Sequence, residues 1–267
     1  NFDVSVDHKS RDEMGHVVRN FNWMVRELRN IEYLRKDFVS SVSHEFKTPI
    51  AAIRGGVKLL TSTPFSQLSR EKFQKYTGLI YKEANRMDSL SSNLLRLSSL
   101  ENQSAMQKTT RFSLDEQIRQ TILLMDNQWS AKGISLDIQL DRVELQGDQE
   151  LIQQVWINLL SNAIKFTGPE GNISIKLREQ GQYAMVEIAD DGIGMTQETQ
   201  RRIFEKFYQE DRSRSREGNG LGMSIVKRIL DLHRGAIAYQ SAPGEGTICR
   251  VRLPLREESI QTGEGLS

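Results

Sequence analysis

From residue 17 to about residue 100 the apolar side chains recur three and four positions apart, the spacing of helices and not the alternation of strands. Val17, Phe21, Met24, Leu28 and Ile31 form a heptad-like seam. Ser10 is placed to cap that helix, and Asp12 and Glu13 suit its first turn. No breaker separates it from a second stripe of Phe38, Val42, Phe46, Ile50, Ile53 and Val57. His44 and Thr48, four apart, then share one exposed face. Pro49 lacks the N–H that would reach the Glu45 carbonyl, which predicts a bend one turn after His44. Ser62-Thr63-Pro64 ends the helix. A second helix starts near Ser69 and carries Phe73, Tyr76, Ile80, Ala84 (or Glu83), Met87, Leu90, Leu94 and Leu97. Two such helices predict a hairpin, and one hairpin cannot bury both stripes. Pairing two hairpins in a four-helix bundle solves this, so a homodimer is expected.

The polar, unpatterned stretch 101–111 reads as a linker, and beyond Phe112 the texture changes. A helix from Ser113 or Leu114 to Gly133 is followed by two alternating segments, ISLDIQL and VELQG. Then come a helix over about 148–166, strands near 172–178 and 183–190, and a Gly/Arg-rich loop. A helix near 220–233 and strands near 235–240 and 247–253 complete a mixed α/β sandwich. The tail 257–267 is polar and expected to fray.

Length and charge narrow the class. At 267 residues the chain accommodates about two domains. The balance of 36 Lys and Arg against 35 Asp and Glu argues against nucleic acid as an obligatory partner. A single cysteine, Cys249, excludes an internal disulfide and a cysteine-rich zinc site. No apolar run approaches the roughly 18 residues of a membrane span. The start at Asn1 instead of Met suits an excised segment.

Several groups have chemistry to offer. A neutral imidazole at His44 can attack through one ring nitrogen while a carboxylate holds the other, and Glu45 is the adjacent carboxylate. A lone exposed histidine is otherwise inert. Asn158, Asn162 and Lys165 share one face of the 148–166 helix, beside an apolar arc of Ile152, Val155, Leu159 and Ala163. Two amide oxygens can ligate Mg²⁺ and a lysine can neutralise phosphate, although a polar face is commonly only solvated. Asp191-Gly192-Ile193-Gly194 follows a strand, where glycines admit a flat ring and a carboxylate can accept from an exocyclic amine. Phe204 and Phe207 suit either a core or a lid. Gly218, Gly220, Leu221 and Gly222 open a helix whose free N–H groups favour phosphate. Gly244-Glu245-Gly246-Thr247 lies between two strands, where a hairpin turn is the plain alternative; His233 reads as structural.

The order of these pieces carries a resemblance. The DEMG cluster with FNWM and Leu28 resembles the second helix of a HAMP signal-relay module, and S-H-E-F-K-T-P resembles the phosphoacceptor box of sensor histidine kinases. LLSNAIKF resembles the N box of the histidine-kinase, gyrase and MutL ATPases, and DGIG, FxxF, GxGLG and GxGT follow in the histidine-kinase order. The fold class implied is α + α/β: a long helical hairpin forming a dimeric four-helix bundle, then an α/β sandwich ATP-binding domain of the gyrase/histidine-kinase type. The implied domains are a partial HAMP helix (1–31), a dimerisation and phosphotransfer hairpin (32–101), a linker (102–111), a catalytic ATP-binding domain (112–256) and the tail.

The resemblance also implies roles. His44 accepts phosphate from ATP, Glu45 assists as base, and Thr48 orients water for a phosphatase reaction. Asn158 and Asn162 handle Mg²⁺, Lys165 faces phosphate and Asp191 reads adenine. Gly192, Gly194, Gly218, Gly220 and Gly222 shape the pocket and lid, with Phe204, Phe207, Leu221 and Thr247 around them. A response-regulator receiver domain is the implied partner, with an upstream sensor and membrane anchor outside these residues. That places the chain in the cytoplasmic portion of a bacterial membrane protein. A gyrase- or MutL-type ATPase and a non-catalytic ATP-binding relay are the competing readings.

Overall fold

In the computed structural model, which describes residues 13–64, 68–103, 106, 108–209 and 218–256, the first stripe is one unbroken 50-residue helix, α1 (Glu13–Ser62). The cap expected of Ser10, the side chain of Ile31, part of the linker, and the tail lie outside the described residues. Pro49 is buried inside α1 and does not end it. α2 (Arg70–Glu101) starts where Ser69 Oγ accepts from the Lys72 N–H at 3.2 Å, an N-terminal cap. The chain divides into two compact units, Asn1–Ser89 and Leu90–Ser267.

In the first unit the inward face of α1 runs through Phe38, Val42, Phe46, Pro49, Ile53 and Gly56. Two expected positions have moved: Ile50 and Val57 stay exposed, at 47% and 44%. Gly56 explains the shift, because a Cβ there would stand only 3.0 Å from Ile80 Cγ1. The missing side chain therefore brings α2 close, and the apolar neighbours turn outward. On α2 the inward register is Tyr76, Ile80, Glu83 and Met87, so Glu83 and not Ala84 occupies the alternative position. Val17, Phe21, Met24 and Leu28 are all exposed in the single chain.

In the second unit, chain order gives β1 (Thr110–Ser113), α3 (Leu114–Leu124), α4 (Asp126–Ser130), β2 (Ser135–Leu140), β3 (Glu144–Gly147) and α5 (Gln149–Phe166). It continues with β4 (Asn172–Gln180), β5 (Tyr183–Asp190), α6 (Gln197–Arg202), α7 (Gly222–Leu232), β6 (Ala236–Ser241) and β7 (Thr247–Pro254). The main sheet has the order β2-β4-β5-β7-β6, with β2 parallel to β4 and the other pairs antiparallel. β1 and β3 form a separate antiparallel pair. Thr110 and Arg111, expected in the linker, belong to it, opposite Gly147 and Gln146.

Alternation along the sheet sends one face inward: Ile173, Ile175 and Leu177, then Ala184, Val186 and Ile188, then Cys249, Val251 and Leu253 are buried. α5 and α7 supply the facing layer with Ile152, Val155, Trp156, Leu159, Ile225 and Ile229, all at most 4% exposed. The helix expected over 113–133 is split at Met125, which turns inward while Leu123 and Leu124 remain outside. Trp129 Nε1 donates to the Ile122 carbonyl across the break. α6 was not expected; its cap is Thr196, whose side chain accepts from the Thr199 N–H.

Both ends of α5 are tied. At its start Asp148 accepts from the Glu150 and Leu151 N–H groups. The Asp148 N–H donates to Nε2 of the buried His233, whose Nδ1 faces the Ile229 carbonyl. An accepting Nε2 fixes the neutral tautomer with the proton on Nδ1, so His233 is structural, as expected. At the other end Lys132 Nζ donates to the carbonyls of Ile164, Lys165 and Thr167, at 2.7–3.0 Å. A cation here satisfies terminal carbonyls and the helix dipole together. Lys132→Met should lower unfolding stability by about 2 kcal/mol, the scale of hydrogen bonds to a charged group. Denaturant unfolding of the two proteins checks this, and equal midpoints would mean that the cap contributes nothing.

Candidate functional site

In the first unit His44 is exposed on α1. Glu45 does not turn to it. Its carboxylate is held across the hairpin by Arg86 of α2, Nη2 to Oε2 at 3.1 Å, with side-chain exposures of only 13% and 23%. A half-buried ion pair of this kind is oriented and anchored, and its energy is not screened as a surface pair's is. Arg86 was missed from sequence; its signal was a cation one residue before Met87, beside the apolar seam. Thr48 Oγ1 donates to the His44 carbonyl at 3.3 Å, which leaves the hydroxyl oxygen able to accept.

In the second unit the polar face of α5 meets the start of α7. Asn158 Nδ2 donates to the Gln154 carbonyl at 2.9 Å, and its Oδ1 faces Gly222, where a Cβ would lie 2.8 Å away. Asn162 Nδ2 donates to Met223 Sδ at 3.2 Å. Each amide thus has its NH₂ anchored and presents its carbonyl oxygen. Lys165 Nζ lies against Gly218, 3.5 Å from where a Cβ would stand. The structure therefore brings together Asn158, Asn162, Lys165, Gly218 and Gly222. Hard oxygen donors next to an amine and a helix N-terminus suit a divalent cation with phosphate.

The lid anchors differ from one another. Phe207 is buried, and its N–H donates to the Gly220 carbonyl at 2.9 Å. Gly220 has φ +68°, and a Cβ there would stand 2.6 Å from the Phe207 carbonyl carbon, so only glycine fits. Phe204 instead packs its ring against Tyr239, centroids 5.9 Å apart. Leu221 is fully buried, and its N–H donates to Asn219 Oδ1, which shapes the turn into α7. Residues 210–217 lie outside the described residues.

At the end of β5 the two aspartates separate. Asp191, expected to read the base, is exposed, and its carboxylate accepts from the backbone and side-chain N–H groups of Asn172 at 2.9–3.0 Å. Those hydrogen bonds hold its carboxyl below the usual range. Asp190 is the half-buried one. It accepts from the Gly192 N–H at 3.0 Å and from the Thr247 backbone, and burial pushes its carboxyl up to about 6. The Gly244–Thr247 turn packs on the Asp190 backbone: a Cβ on Gly246 would stand 2.0 Å from the Asp190 carbonyl oxygen. Gly192 and Gly194 are packed as tightly, against the Phe166 and Ala242 carbonyls. The half-buried carboxylate is thus the residue before the one singled out from sequence. The signal was alternation along β5, which puts Asp190, not Asp191, two positions on from Ile188.

The comparisons with known proteins fall in line with this geometry. Residues 147–257 match the Histidine kinase-, DNA gyrase B-, and HSP90-like ATPase family, 34–103 the His Kinase A (phospho-acceptor) domain, and 1–30 the HAMP domain. The heme sensor protein HssS of Staphylococcus saprophyticus is 32% identical over 92% of this chain, which spans only 52% of that relative's length. The catalytic domain of histidine kinase ThkA is 28% identical with a TM-score of 0.51, covering 55% of this chain and 96% of that one. ThkA in complex with response regulator protein TrrA shares the fold at 24% identity and a TM-score of 0.70, covering 86% of this chain and 65% of that one. Among the described residues no helix is long and apolar enough to cross a membrane.

The two aspartates give a discriminating test. Because the folded Asp190 carboxyl titrates near 6 and the unfolded one near 3.8, its stabilising contribution is full below the unfolded value and lost as pH rises through the folded one. Asp190→Asn should therefore raise the melting temperature of the nucleotide-free protein at pH 7.5, by less at pH 5, and remove the added stabilisation by ATP. Asp191→Asn should lower the melting temperature and keep the ATP effect. Thermal scans at both pH values decide it; the reverse pattern would return the base-reading role to Asp191.

Proposed function

We propose that this chain, which belongs to the sensor histidine kinases, is an ATP-dependent protein-histidine kinase whose own His44 takes the γ-phosphoryl group. The observation that carries this reading is the convergence of the Asn158, Asn162 and Lys165 face with the Gly218–Gly222 turn. An exposed histidine in the same chain supplies the acceptor. Asn158 and Asn162 hold Mg²⁺ through their carbonyl oxygens, and the ion when bound neutralises phosphate charge. Lys165 and the N–H groups at the start of α7 hold the phosphates. Asp190, and not Asp191, accepts from the exocyclic amine of adenine; this requires the ionised carboxylate, so affinity falls as pH drops through about 6.

In the chemical step an unprotonated ring nitrogen of His44 attacks the γ-phosphorus. The bond from that phosphorus to the bridging oxygen breaks, and ADP leaves with the electron pair. Glu45, once its carboxylate swings from Arg86 to the imidazole, receives the proton released from the other ring nitrogen. The phosphoryl group then passes to an aspartate of a response-regulator receiver domain, a partner class supported by the solved ThkA–TrrA complex. Thr48, whose hydroxyl proton is spent on the His44 carbonyl, accepts from a water aimed at the regulator's aspartyl phosphate.

The acting unit is a homodimer. Val39, Ile50 and Val57 on α1 and Phe73 and Leu79 on α2 remain exposed in one chain. Glu83 Oε2, buried in the hairpin seam, has no hydrogen-bond partner among the described residues. A second copy covers these side chains. In this reading a partial HAMP segment at 1–31 precedes the phosphotransfer hairpin at 32–101, and the ATP-binding domain begins at β1, so Thr110 and Arg111 pass from the linker to that domain. The HAMP match supports a place on the cytoplasmic side of a membrane-anchored sensor.

Incubation with γ-labelled ATP should give acid-labile, base-stable label on the protein. His44→Gln should abolish the label and leave ATP affinity unchanged; label persisting in this variant would reject His44. Thr48→Ala should spare autophosphorylation and transfer while slowing dephosphorylation of a receiver domain. Parallel losses in both rates would assign Thr48 to the helix instead of to the water.

A further inference from the structure

Met223, the second residue of α7, is 7% exposed, yet its sulfur is the meeting point of two polar donors. Asn162 Nδ2 approaches it at 3.2 Å from α5, and Tyr239 Oη at 3.6 Å from β6. A thioether accepts hydrogen bonds and donates none. An amide set against it must therefore present its NH₂ to the sulfur and its carbonyl oxygen elsewhere. Leucine would fill the same space and leave the amide free to turn over. The sulfur is itself held in place. Tyr239 packs its ring on Phe204 and stands opposite Cys249 in the β6–β7 register. Three elements thus fix one atom, and that atom selects which end of Asn162 faces the cleft.

We infer that Met223 is the positioning residue that aims the Asn162 carbonyl oxygen at the metal accompanying the nucleotide, with Tyr239 holding the sulfur. The inference rests on the metal-binding role proposed for Asn162. It assigns the Met223 side chain no contact with ATP, and the backbone N–H groups at the start of α7 are the same in every variant. Its loss therefore acts on the metal-dependent part of nucleotide affinity and not on the base or phosphate contacts. Removing one modest hydrogen bond corresponds to about a threefold to tenfold change.

The test is calorimetric titration of the 267-residue chain with ATP, once in EDTA and once in excess Mg²⁺, the ratio of the two affinities being the readout. Met223→Leu should leave the EDTA affinity as in the parent and lower the Mg²⁺ enhancement about threefold to tenfold. Met223→Gln, which restores an acceptor of similar length, should recover much of it. Tyr239→Phe, which keeps the ring on Phe204, should lower it by a smaller factor. An unchanged enhancement in Met223→Leu overturns the assignment while leaving the kinase reading intact. So does an equal fall in EDTA and Mg²⁺, which would mean that Met223 only packs. A parent chain that binds no ATP under either condition overturns both. Circular dichroism of each variant establishes that it is folded, and Tyr239→Phe carries the test alone if the Met223 variants are not.

Discussion

The second unit depends on the seating of α5. One face of this helix must be dry enough to lie on the sheet through Ile152, Val155, Trp156 and Leu159, and the other polar enough to present Asn158, Asn162 and Lys165. Those demands fix its rotation. Its translation is fixed at the ends, by the Asp148 cap and His233 at one and by Lys132 at the other. A slip by one residue would rotate the helix by about 100° and carry both asparagines into the apolar layer. The Lys132 end also sets the pocket, because the Ile193 N–H donates to the Phe166 carbonyl that α5 leaves over. The 191–194 loop and the Asn158–Lys165 face thereby share one support.

The first unit is governed by a complementary constraint. A helix pair offers each other one stripe apiece, and Gly56 and Pro49 take the inward stripe of α1. With these two on the inner stripe beside Ile53, Ile50 and Val57 fall on the outer face. The geometry that lets α2 approach closely is therefore the same geometry that leaves a second apolar face for another helix. Burial of a side chain of that size contributes about 1.5–3 kcal/mol, so an extended row of them is a substantial drive to associate.

The sequence was most legible where a single periodicity decides the outcome. α1, α2, α5 and strands β4, β5 and β7 were all visible, because long stripes and clean alternation leave one choice of face. The misses arose where two elements settle a matter between them. Ile50 against Pro49 turns on how near α2 comes, and that is written at Gly56 and Ile80 jointly. The split at Met125 turns on what Trp129 reaches across the break. Arg86 gains its meaning only from Glu45, 41 residues away. Asp190 and Asp191 are adjacent and chemically identical, so composition and motif spacing separate them poorly. Strand alternation separates them, and the Asn172 hydrogen bonds then hold Asp191 on the exposed side.

That pair of aspartates also shows how the pocket stores its readiness to bind. Asp191 is stabilised as an anion by Asn172, while Asp190 is pushed the other way by burial, with the neighbouring Asp191 charge adding to the effect. An ionised Asp190 at neutral pH has two backbone N–H groups, from Gly192 and Thr247, but among the described residues no cation pairs with it to offset the lost hydration. The empty pocket is thus less stable than it would be with an amide in that place. A ligand offering an amine N–H to the carboxylate recovers part of what burial took away, and that gain exists only in the bound state. Selectivity follows from the same arithmetic. On the proposed role of Asp190, a base with a carbonyl where adenine has its amine would set two acceptors against each other and leave Asp190 buried and unmet, a mismatch of about 1–3 kcal/mol or more for a charged group. Gly194 and Gly246 keep the backbone around that carboxylate close, because a side chain at either position would run into the Ala242 or Asp190 carbonyl.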